Sequence, residues 1–141
     1  MRGLAQQARA APGVREVHSL RKALRRCRTL AGGIRQVDPA PGWREMLRAI
    51  RKVFRALGGL RDTHVLIEWL ERLAPPAEPV ARALLYQLNA REVDQGARVR
   101  QALLEFDPVQ WEAWIGELAP RAARHPPGDP VYEHIAMLRL H

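Results

Sequence analysis

The stretch VREVHSLRKALRRCR, residues 14–28, sets His18, Arg21, Arg25 and Arg28 at steps of three, four and three. On a helix such steps return to one side, here an arc of about 80° over ~15 Å. Lys22 and Arg26 widen the basic surface. Guanidinium forks in a row donate paired hydrogen bonds to phosphate or carboxylate oxygens and keep their charge. His18, at the head of the arc, is placed to donate a hydrogen bond to the same kind of oxygen. The chemistry these residue types suit is the holding of an anion.

The pattern recurs. In 43–57, Arg44, Arg48, Arg51 and Arg55 follow at steps of four, three and four, with Lys52 beside them. Like charges one turn apart repel by a few tenths of a kcal/mol each, a cost that a bound anion relieves. If the two helices are neighbours in a bundle, their charged sides form one broad positive surface. A solvated face screened by salt within ~8–10 Å is the plain reading of either face alone. The charge distribution argues for more. The net charge of +8 is not spread along the chain: residues 1–61 carry 15 Arg or Lys against Glu16, Asp38 and Glu45, whereas residues 62–141 carry 8 against 12 acids. Arginine outnumbers lysine 21 to 2. A GC-rich genome alone gives such a ratio, but not the asymmetry. Localised positive charge points to an anionic partner.

Other chemistry finds little support. Cys27 and His18 are nine residues apart with no paired ligands beside them, so no metal site is expected. There is no Ser–His–Asp spacing, Gly-rich phosphate loop or Rossmann fingerprint, and no cofactor is expected. His64, with Glu68 one turn on, reads as a solvated pair on the polar side of its helix. Trp111 and Trp114 read as core or interface anchors, since bases stack on aromatics with basic neighbours.

The elements that must position these residues are helical throughout. Breakers separate segments at 14–31, 43–57, 63–73, 79–105, 108–124 and 130–141. Gly58–Gly59 is read as closing the second, and Asp62 as the cap of the third. Asp107–Pro108 has the form of an N-cap followed by proline at the first helical position. Val17, Leu20, Leu24, Cys27, Ala31 and Ile34 form one apolar stripe; Trp43, Met46, Leu47, Ile50, Val53, Phe54 and Leu57 form another. The expected fold is all-α, an antiparallel bundle of about five to six helices in a single domain over 1–141. Helices 14–57 are basic and helices 63–141 less so. With 47% apolar residues the chain can build a core, and no run is long enough to span a membrane. A single cysteine and no secretory leader lead to a cytoplasmic expectation.

The run VHSLRKALRRCR, followed by ALGGLRDTHVLIEWL, resembles the CHAD domain, the conserved histidine α-helical domain. That family's first signature, a histidine followed by arginines three, seven, eight and ten residues on, falls on His18, Arg21, Arg25, Arg26 and Arg28. Its second, L-G-x-x-R-D-x-x-V-L, falls on Leu57, Gly58, Arg61, Asp62, Val65 and Leu66. The resemblance implies a helical bundle that binds inorganic polyphosphate through a basic face, sometimes on polyphosphate granules. Many CHAD domains are fused to CYTH domains, but the Glu-x-Glu-x-Lys signature of that enzymatic partner is absent here, so no catalysis is implied. The family has two similar halves; His141 looks like the start of the second, so the chain resembles one half, which a second copy could complete.

The expectation is a non-enzymatic polyphosphate-binding module. The site set is His18, Arg21, Lys22, Arg25, Arg26, Arg28, Arg44, Arg48, Arg51, Lys52, Arg55 and Arg61. A helical protein binding RNA or DNA backbone is the alternative, although no helix-turn-helix or interleaved aromatic favours base readout. An oligomerising scaffold subunit is a third.

Overall fold

Apolar residues at three- and four-residue spacing, bounded by prolines and short polar caps, settle into four helices in the computed structural model, which describes residues 13–75 and 77–125. They are α1 (Val14–Ile34), α2 (Pro41–Leu73), α3 (Pro79–Leu104) and α4 (Pro108–Ala122). No strand occurs among the described residues, so the protein is all-α as expected. The expected helix 130–141, and His141 with it, lies outside the described residues. Among the described residues no helix is long and apolar enough to cross a membrane.

One boundary differs from expectation. Five helices were expected up to residue 125 and four are found, because α2 runs unbroken through Gly58–Gly59 for 33 residues. A glycine inside a helix costs about 1 kcal/mol relative to alanine, which tertiary packing readily outweighs. Here Val53, Leu57 and Leu60 are all buried around the pair. The two glycines serve close approach instead of termination. A Cβ at residue 58 would stand 3.0 Å from Arg21 Nη1, and one at residue 59 would stand 3.2 Å from Gln95 Nε2. Asp62 is accordingly no cap. It lies exposed in the interior of α2, where no helix begins.

The same continuity corrects His64. Leu57, Leu60 and His64 follow at steps of three and four on one uninterrupted helix, so His64 shares the buried stripe. It is 4% exposed, and its Nε2 lies 2.8 Å from Glu92 Oε1 on α3. Glu68, its expected partner, pairs with Arg72. A carboxylate facing Nε2 assigns the ring proton there.

The described residues form two compact units, one of residues 13–21 and 53–105, the other of residues 22–52 and 106–125. In the first, α2 and α3 form an antiparallel hairpin: Gly59 and Thr63 meet Gln95, and His64 meets Glu92. Glu78 caps α3 through Oε2, which accepts from Ala81 N. Val17, Leu20, Leu57, Leu60, Val99 and Leu103 are buried in this unit.

In the second unit the start of α2 runs antiparallel to α4. Gly42 lies against Leu118, and Trp114 Nε1 donates to Glu45 Oε2. Asp107 caps α4 as expected, its Oδ1 accepting from Val109 N and Gln110 N. Leu24, Ala31, Trp43, Met46, Ile50, Trp111, Trp114 and Leu118 are buried, which bears out both tryptophans as core anchors.

Asp38 ties this unit together. It is 7% exposed and accepts from Ala40 N at 3.1 Å, from Trp43 Nε1 at 3.0 Å and from Arg121 Nε at 2.7 Å, with Arg121 Nη2 on its other oxygen. The bidentate Arg121 holds the carboxyl well below the usual carboxylate range. Trp43 and Ala40 add to this against the opposing effect of burial. A lowered folded-state value means stability that is fully present above about pH 4 and is lost as the pH falls through the folded value. Urea titrations across pH should therefore show a loss of stability below about pH 4 that Asp38→Ala lacks. At pH 7 the variant leaves the Trp43 and Ala40 donors without an acceptor, at a cost of about 2–4 kcal/mol.

Candidate functional site

Helix α1 sorts its residues as its spacing predicts. Val17, Leu20, Leu24, Ala31 and Ile34 are buried, while His18, Lys22, Arg25, Arg26 and Arg28 are exposed. Arg21, between the two sets, is half-buried. Glu16 is the only acid in its 21 residues. On α2, Arg44, Arg48, Arg51, Lys52 and Arg55 are all exposed, and Trp43, Met46, Ile50, Val53 and Leu57 are buried. Arg61, further along, is half-buried. Each helix thus holds one row of cations to solvent while its opposite side is fixed in a core.

What this arrangement can do follows from the groups present. Exposed guanidinium forks at three- and four-residue spacing offer successive bidentate donors along ~15 Å of helix. An extended polyanion can meet several of them at once, and each contact that displaces counterions adds a salt-dependent increment.

Arg21 shows the most defined geometry of the set. Its Cζ lies 4.4 Å from the centroid of the Phe54 ring, a cation–π contact of about 1 kcal/mol. Its Nη1 approaches the backbone of α2 at Gly58. The structure therefore brings Arg21 of the histidine–arginine stretch onto Phe54 and Gly58. Sequence reasoning placed Phe54 in a core face and Gly58 at a helix end. The signal was their spacing of four, which places both on one face of a continuous helix.

Cys27, placed by its spacing in the core stripe, is half-buried. It lines an apolar cleft of ≈410 Å³ together with Ala31, Ile34, Trp43, Trp111 and Leu118. Burial pushes its thiol up, which favours the protonated form over the reactive thiolate.

Against known proteins, the family model described as the CHAD domain matches residues 2–138. Curated proteins and solved structures gave no match. The match runs well beyond the two stretches that suggested it, through α3 and α4, and covers nearly the whole of the 141 residues. The chain belongs to the CHAD domain family.

Proposed function

We propose that the protein binds inorganic polyphosphate, without catalysing a reaction on it, through the arginine rows of α1 and α2. The observation that carries the reading is the sorting of those helices. Before residue 63 twelve cations and His18 lie on them, eleven of these thirteen side chains are exposed, and only Glu16, Glu45 and Asp62 interrupt them. Membership of the CHAD family supports the same ligand. Arg21, Arg25, Arg28, Arg48, Arg51 and Arg55 take phosphate oxygens; Lys22, Arg26, Arg44, Lys52 and Arg61 add to the field; His18 donates a hydrogen bond. Arginine suits the task because its planar fork fits two oxygens of one phosphate, where lysine offers a point charge. A cytoplasmic protein found with polyphosphate granules is the cellular setting that follows from this ligand.

The charge-reversed pair Arg21→Glu/Arg25→Glu tests the reading. Affinity for long-chain polyphosphate should fall by at least roughly tenfold, and the slope of log K against log salt should flatten by about two contacts. A variant that matches the unmutated protein in both overturns the assignment. Nucleic-acid backbone is the competing ligand. In a competition assay, polyphosphate should displace RNA or DNA at far lower phosphate concentration, and the reverse ranking makes nucleic acid the ligand.

Self-association is a second reading, favoured by the outer side of the α2–α3 hairpin. There Leu66, Trp69, Leu70, Leu73, Leu84 and Leu88 bound a cleft of ≈510 Å³, with Trp69 58% and Leu73 77% exposed. Such a patch on a helical hairpin suits a second hairpin. Residues 62–105 carry five arginines against seven acids, so two copies can meet there without the repulsion of the basic rows. Mass measurement in solution should give a dimer that Trp69→Glu converts to monomer. A strict monomer at all concentrations removes the second copy.

A further inference from the structure

Arg21 differs from the other members of its row. Arg25 and Arg28 are exposed, whereas the Arg21 Cζ lies over the Phe54 ring, 4.4 Å from its centroid, and its Nη1 edge enters the space that a side chain at residue 58 would fill. Phe54 and Gly58 stand one turn apart on the same face of α2. We propose that they are positioning residues for anion binding: Phe54 supplies the ring face against which the Arg21 guanidinium is held, and Gly58 supplies the gap that lets it sit there. The proposal rests on the anion-binding reading above.

Glycine at 58 needs a reason, because it weakens the middle of a long helix. The backbone supplies none, since residue 58 is helical. Close approach supplies one: a Cβ would meet Nη1 at 3.0 Å, so the guanidinium would have to give by a few tenths of an ångström. An arginine side chain loses considerable rotamer freedom when it is ordered. Held by the Phe54 ring and the gap at Gly58, Arg21 loses that freedom on folding instead of on binding, so more of its interaction appears as affinity. A guanidinium carries several N–H donors, and a cation–π contact at Cζ leaves donors for phosphate oxygens. Arg21 is only half-buried, so part of it remains accessible. Among the described residues no carboxylate forms an ion pair with it. Arg21→Ala should therefore weaken polyphosphate binding more than Arg25→Ala does, although both remove one charge from the same row.

Gly58→Ala and Gly58→Leu test the slot. Both introduce better helix formers, and circular dichroism with a thermal midpoint confirms that each variant folds. Affinity for long-chain polyphosphate should drop by about threefold for alanine and about tenfold for leucine as Arg21 loses its preorganised position. In an Arg21→Ala background neither substitution should lower affinity further. Phe54→Leu should weaken binding, and Phe54→Tyr, which keeps the ring face, should restore it. Equal losses in both backgrounds overturn the proposal, as does unchanged affinity in Gly58→Leu. The placement has a ligand-free readout in the Arg21 Nε–H resonance. It should be shifted upfield by the Phe54 ring and should move back in Phe54→Leu and Gly58→Leu. No ring shift in the unmutated protein overturns the placement whatever the ligand. A ring shift without polyphosphate binding overturns the anion-binding reading, and the positioning role with it, but leaves the placement standing.

Discussion

Two helices that carry most of the positive charge must stay folded against their own repulsion, and the apolar stripes opposite the charges make that possible. Along α1 the neighbouring cations at three- and four-residue spacing oppose folding by a few tenths of a kcal/mol each, about 1–2 kcal/mol in sum. Burial of Val17, Leu20, Leu24 and Ile34 contributes about 1.5–3 kcal/mol for each side chain. Packing wins by a wide margin, so the row can remain nearly free of compensating carboxylates. The consequence is a folded protein with positive charge concentrated on these helices, which the proposed polyanion would relieve on binding.

The unbroken course of α2 follows from the same division of labour. Its first part pairs with α4, its second with α3, and both pairings run antiparallel. Continuity through Gly58–Gly59 fixes the phase of the residues that follow it. With Leu57 and Leu60 inside, His64 must also lie inside, and Arg55 and Asp62 must lie outside. Two polar pairs, each with one buried member, His64 with Glu92 in one unit and Asp38 with Arg121 in the other, then add specificity to what the apolar stripes already hold.

The amphipathic stripes of α1 and of early α2 were legible in the sequence because periodicity is local: alternating buried and exposed sets can be counted along one helix. The caps at Asp107 and the ends near Pro75 and Pro79 were legible for the same reason. The course through Gly58–Gly59 was not. Glycine lowers helix propensity whether it ends a helix or makes room for a neighbour, and only the neighbour distinguishes the two. His64 was misplaced as a direct result, since its phase was counted from a helix start that does not exist. The pairing of Asp38 with Arg121 spans 83 positions and has no local signature. Arg21 was legible as a cation of the row, but its seat on Phe54 and Gly58 depends on two helices meeting.

The central claim is that the arginine rows bind a polyanion through several simultaneous phosphate contacts. The most direct measurement is the affinity of the unmutated protein for long-chain polyphosphate across a series of salt concentrations. The predicted result is a straight line of log K against log salt whose slope corresponds to several released counterions, roughly four or more. A flat line, or no binding at low salt, would contradict it.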